Sequence, residues 1–206
     1  MGSRAGGVFT WFSQSAKSIG HSNLVVSNVE GLVHMRDPEL YKEVKEAISR
    51  YEAVMGVRQK NIKLADLSDS RVVATHRTDL NGKSVGIYLN KKYFNQPKSE
   101  FVRMIQSDYK YGMLTVTNRP GAHSLTHELA HATWNNRLSS PKAKAAGKEI
   151  ARLYSLWSKD TYKKNYGEYA TQNINEFWAE TVTKAVHGTH DRYTKAIKAI
   201  AKKYKL

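Results

Sequence analysis

The sequence predicts an α+β domain: a small mixed or antiparallel sheet, a helix with paired histidines packed on it, and a helical C-terminal half. Three observations predict it. Leu40, Val44, Ala47, Ile48, Tyr51 and Val54 recur at helical spacing. Between residues 57 and 95 the period shortens to alternation around Asn81-Gly82, a strong hairpin turn signal. Past Trp134 the helical period returns in three segments up to the C-terminus.

Residues 1–30, rich in Gly and Ser, read as a tail or arm that Trp11 and Phe12 anchor on a domain spanning 31–206. Asp37-Pro38 opens the first helix, with Asp as N-cap and Pro at the first helical position, and Gly56 stops it. Short strands follow at 62–64 and 71–75, with a return strand at 84–89 after the turn. Phe101, Val102, Met104 and Ile105 predict a helix over 97–109. Residues 113–117 read as a strand, which Arg119-Pro120-Gly121 breaks before the histidine helix. Three more helices are expected at 141–157, 172–186 and 191–204, with a polar, tyrosine-rich loop over 159–171.

The chain has no cysteine, which excludes disulfides and thiolate metal sites, so any metal is held by His, Asp or Glu. Its 33 Lys and Arg against 18 Asp and Glu give a net charge of +15. That balance favours anionic surroundings, nucleic acid among them, without naming a partner. No stretch approaches the ~20 apolar residues of a membrane span. Val8 to Phe12 is too short for a signal-peptide core, so the chain is expected in the cytosol unless it is delivered by another route.

The chemistry centres on His127-Glu128-Leu129-Ala130-His131. On a helix, His127 and His131 are four residues apart and project from one face. Two such imidazoles can hold Zn²⁺, and Glu128 beside the first can serve as general base. A third ligand is required. A third histidine at short spacing is excluded, because Trp134 and Arg137 stand where glycine and histidine are needed. Glu176 and Glu180 share a helical face beside small Ala179 and Thr183. There Glu176 can bind the metal while Glu180 accepts a hydrogen bond from a ligating histidine's other nitrogen. The alternative is that both are solvated, opposite a core stripe of Ile174, Trp178, Val182 and Ala185. Asp191 is a further ligand candidate, though Gly188 suits a helix C-cap and Thr189 or Asp191 the next N-cap. His123, one turn before His127, can line the cleft but reads better as a polar loop position, His187 is too distant to share the metal, and His21, His34 and His76 show no partner pattern.

These two segments together resemble the gluzincin metallopeptidases, which pair His-Glu-x-x-His with a downstream glutamate in an Asn-Glu-x-x-x-Asp/Glu helix. More narrowly, Tyr169 to Glu180 is similar to the catalytic domain of anthrax lethal factor and its toxin and phage relatives. That pattern carries a tyrosine seven residues before the glutamate, then an aromatic pair and Ala-Glu, here Phe177-Trp178-Ala179-Glu180. The resemblance covers about 30 residues and departs from the pattern at Ala130, where the family has glycine. It implies a zincin-like fold and a zinc metalloendopeptidase acting on a protein or peptide substrate. His127, His131 and Glu176 would be zinc ligands, Glu128 the general base, Tyr169 a transition-state hydrogen-bond donor, and Glu180 the carboxylate that orients a ligand. By the same resemblance, residues 114–117 would edge the cleft and pair with an extended substrate, and the chain would be a phage or toxin component. A rival expectation, from charge alone, is a catalytically inactive basic protein on the same scaffold, bound to nucleic acid or a virion.

Overall fold

The computed structural model describes residues 32, 34–57, 61–137, 140–188 and 190–206. The expected arm at 1–30, with Trp11, Phe12 and His21, lies outside them, as does Thr189. Among the described residues there are seven helices and one three-stranded sheet, an α+β arrangement. No helix there is long and apolar enough to cross a membrane.

Helix α1 (Pro38–Met55) starts and stops at the two expected residues. The Asp37 carboxylate accepts from the Glu39 and Leu40 N–H groups, and Gly56 closes the helix in the left-handed region at φ 69°. The same carboxylate accepts from Lys98 N–H at 3.0 Å, so one aspartate caps both α1 and α3 (Lys98–Lys110). These bonds, from Leu40 and then Lys98, hold its pKa below the ordinary value. A short helix not anticipated in the sequence, α2 (Lys91–Phe94), precedes α3, because Asn90 caps it directly off the preceding strand.

The sheet is mixed. Strand β3 (Ser84–Asn90) lies between β1 (Ile62–Ala65), parallel to it, and β2 (Ala74–Thr78), antiparallel to it. The hairpin forms at Asn81-Gly82, with Gly82 at φ 76°. The Asp79 carboxylate accepts from the Asn81 and Lys83 N–H groups across the turn. Strand β2 begins three residues later than expected. The Asp69 side chain accepts from Arg71 N–H and its carbonyl from Val72 N–H, which winds that stretch into a turn.

The expected strand at 113–117 is absent. Its backbone groups go across the molecule rather than to a sheet. Met113 O accepts from Tyr169 N–H, Gly112 O from Glu168 N–H, and Asn118 N–H donates to His187 O. Thr115 N–H donates to a carboxylate. Gly167 packs so closely on this stretch that a Cβ there would sit 2.3 Å from the Leu114 carbonyl carbon. Strand addition at 114–117 therefore has no sheet edge behind it; the edge beside the histidine helix is β2.

That helix, α4 (Pro120–Arg137), packs on β2 and β3 with one face and on α1 and α3 at its flanks. Leu125, Leu129 and Ala130 are fully buried. Tyr51 of α1 donates to Leu129 O at 2.9 Å and also bonds Thr133. The expected loop at 159–171 winds into two 3₁₀ turns, Thr161–Asn165 and Glu168–Thr171. Helix α6 (Ile174–His187) lies along α4, tied by Trp178 Nε1–H to Ala130 O at 2.9 Å. From Glu176 to His187 every residue of α6 is buried. Helices α5 (Pro141–Ser158) and α7 (Arg192–Tyr204) cover it. The reading of Glu176 and Glu180 as solvated residues is therefore wrong, since a helix enclosed on all sides has no solvent face.

Candidate metal centre

Three histidines stand one helical turn apart on α4: His123, His127 and His131. All three are buried, and so are Glu128, Glu176 and Glu180. Asn173 places Glu176 by capping α6, its side chain accepting from the Asn175 and Glu176 N–H groups. Four residues on, Glu180 returns to the same face.

The centre is built around the His127 ring. Its Nδ1 stands 2.8 Å from Glu180 Oε1. A carboxylate only accepts, so this nitrogen carries a hydrogen. A neutral His127 therefore presents a lone pair at Nε2. That atom lies 3.0 Å from Glu176 Oε2 and 3.0 Å from His131 Nε2, and the last two are 3.4 Å apart. Donors about 2.0–2.1 Å from a tetrahedral zinc stand ~3.3 Å from one another, close to this triangle. The expected ligands His127, His131 and Glu176 are thus brought together with spacing, donor type and burial that fit such an ion.

The electrostatics agree. Burial opposes a charge on His127, but its hydrogen bonds to the Glu176 and Glu180 carboxylates outweigh it and hold its pKa well above the ordinary value. Burial likewise raises the carboxyl of Glu176, yet His127 and His131 prevail and hold it far below the usual range. Glu180 behaves the same way, with His123 and His127 overcoming its burial. The centre favours a positive charge between its carboxylates, whether a proton on His127 or a metal cation.

A second group, His123, His127 and Glu180, also lies within ligating distance. Hydrogen bonds account for it fully. Glu180 Oε1 faces both His123 Nε2, at 3.1 Å, and His127 Nδ1, while Oε2 accepts from Thr115 N–H at 2.8 Å. This group orients the first one.

Glu128 sits beside the triangle. Its Oε2 accepts from the backbone N–H of His76, on β2, at 2.7 Å. Burial pushes its pKa up, against the pull of His131 and His127. Tyr169, held in its 3₁₀ turn, places its ring centroid 5.6 Å from that of His127. Asp191 is elsewhere in purpose: it caps α7 with a reciprocal bond from Thr194 and pairs with Lys184 Nζ at 2.8 Å. His187 bonds Thr126 at 2.8 Å and does not join the centre; burial lowers its pKa to about 3.

One participant is invisible in the sequence and another is misplaced by it. His76 contributes its main chain, which no side-chain pattern reveals; its own ring, between Ser84 and Asn135, has a pKa lowered to about 4 by burial and then by His131. His123 is a helical, fully buried residue rather than a loop position. Its signal was available, since it lies four residues before His127, as His131 lies four after. Comparison with family models, curated proteins and solved structures finds no match to this chain.

Proposed function

We propose that this protein is a zinc-dependent endopeptidase on a zincin-like scaffold, with His127, His131 and Glu176 holding the metal. One observation carries the reading: two imidazole nitrogens and a carboxylate oxygen converge within 3.4 Å in a buried centre. Without a positive charge between them, that convergence would be repulsive. Zinc bound there supplies Lewis acidity, lowering the pKa of water toward ~7 and polarising a scissile carbonyl.

The chain's own residues supply the rest. Glu128, raised by burial and fixed by His76 N–H, takes a proton from the attacking water and returns it to the leaving amine. Glu180 fixes the tautomer and orientation of His127. Tyr169, packed on His127, is the candidate donor to the developing oxyanion. The test is equilibrium dialysis with Zn²⁺ beside peptide hydrolysis. The expected result is one zinc per chain and activity that a strong chelator removes and zinc restores. Stable zinc-free protein with chelator-insensitive hydrolysis would sink the reading.

A second reading draws on charge. Helix α7 holds Arg192, Lys195, Lys198, Lys202 and Lys203 and no acidic residue, and packs beside α5 with Lys142, Lys144, Lys148 and Arg152. Glu149 and Asp160 neutralise Lys203 and Arg192, and the remaining basic side chains of these two helices suit a polyanion such as nucleic acid, bound independently of catalysis. Such binding should weaken steeply between 50 and 200 mM salt, by about 10³–10⁵-fold for 6–10 phosphate contacts, and survive chelation. Salt-insensitive or absent DNA binding in a filter assay would remove it.

A further inference from the structure

We propose that His123 is a positioning residue for His127, acting through Glu180, with Tyr109 and Thr117 fixing its tautomer; this rests on the zinc-site reading above. A ligating histidine commonly has one outer carboxylate partner. Here that carboxylate is itself held by a further chain of side chains.

The chain has one direction. Glu180 Oε1 is an acceptor, so His123 Nε2, 3.1 Å away, carries the hydrogen. The other nitrogen of a neutral His123 is then an acceptor, and the Tyr109 hydroxyl lies 3.1 Å from it. With its hydrogen given to His123, Tyr109 accepts from the Thr117 hydroxyl at 2.7 Å. Hydrogen bonds thus run from Thr117 to Tyr109 to His123 to Glu180. They meet on Oε1 the bond arriving from His127.

Glu180 has no exposed surface, so water cannot replace a missing donor. Three donors fix it: Thr115 N–H on one oxygen, and His123 and His127 on the other. Removing His123 leaves Oε1 held by His127 alone and frees the carboxylate to turn. The His127 ring turns with it, because its Nδ1–H follows Glu180, and its Nε2 moves relative to His131 and Glu176. Tyr109 also packs edge-on to His123, with centroids 5.6 Å apart, so the hydroxyl cannot swing away without repacking the ring.

The test uses the full chain, with zinc affinity by chelator competition, the visible absorption of the Co²⁺-substituted protein, and circular dichroism for folding. His123→Leu should lose about 10–100-fold in zinc affinity and shift the cobalt bands. His123→Gln, whose amide can donate to Glu180, should recover most of both. Tyr109→Phe, which removes one hydroxyl, should shift the cobalt bands with a smaller loss of affinity and unchanged helix content. Unchanged cobalt bands in folded Tyr109→Phe, or a glutamine variant as weak as the leucine one, would overturn the proposal and leave His123 as packing. If the leucine variant does not fold, the Tyr109→Phe spectrum decides. Wild-type protein that binds neither metal would overturn the zinc-site reading itself, and this proposal with it.

Discussion

Glu128→Gln is expected to lower peptide hydrolysis by about 10²–10⁴-fold with zinc content and fold preserved. Glutamine keeps the size and one carbonyl oxygen, so it still accepts the His76 N–H that fixes the side chain. It cannot take a proton from water. Burial already disfavours the charge on Glu128, as the upward shift of its pKa records. Replacing a costly buried carboxylate with a neutral amide should leave the melting temperature at or above that of wild type. Loss of turnover combined with undiminished stability is a signature that unfolding cannot imitate. Rates on a quenched-fluorescent peptide library, beside melting curves and metal content, check it; wild-type rates in the variant would remove Glu128 from the chemistry.

Glu176→Ala and Asp191→Ala should fail in opposite ways. Glu176 supplies the only carboxylate oxygen of the three-atom cluster, so its removal should abolish stoichiometric zinc binding. It also removes the carboxylate that stabilises a charged His127. Asp191→Ala should retain zinc. The aspartate caps α7, accepts from Tyr166 and pairs with Lys184, whose side chain is buried. Its loss leaves that ammonium with only the Asn165 carbonyl and the Tyr166 ring, and should cost about 3 kcal/mol. Burial raises the Asp191 carboxyl, but Lys184 and the Thr194 N–H outweigh it and lower its pKa. Because the folded pKa is depressed, the stabilisation is complete above the ordinary carboxylate value of ~4. It drains as pH falls through the folded value, so the two proteins should converge in stability in acid. Metal analysis and urea unfolding separate the two variants. Zinc lost only from Asp191→Ala would reverse the assignment of the third ligand.

Local signals were legible in the sequence wherever the physics was local. Asp37 and Gly56 bounded α1 because caps and left-handed stops act within a few residues. Asn81-Gly82 marked its turn for the same reason. The misreadings came from partners far along the chain. Residues 113–117 alternate as a strand does, yet Thr115 gives its N–H to a carboxylate 65 residues away. Nothing nearby reports that. Glu176 and Glu180 oppose an apolar stripe, which normally means solvent. Their polar face is covered because histidines from α4 pack against it. The one-turn spacing of His123 to His127 is legible, but Arg119-Pro120-Gly121 just before it reads as loop, whereas α4 starts at Pro120 and carries His123 buried. The four-residue spacing of His127 and His131 did put those two rings on one face; spacing left Glu176 open between ligand and solvated residue, and only the family resemblance singled it out.

Helix α6 has no outer side from Glu176 onward, and this sets how the segment tolerates length changes. An insertion of one residue between Trp178 and Glu180 would rotate everything after it by about 100°. Trp178 would keep its bond to Ala130 while Glu180 swung away from His127 toward an apolar neighbour. No loop within the helix could absorb the turn, and no exposed face could receive the displaced carboxylate. Substitutions can be compensated by neighbours; a shift in register here cannot. The interval from Asn173 to His187 is therefore a fixed ruler, and length variation in descendants of this chain belongs outside it.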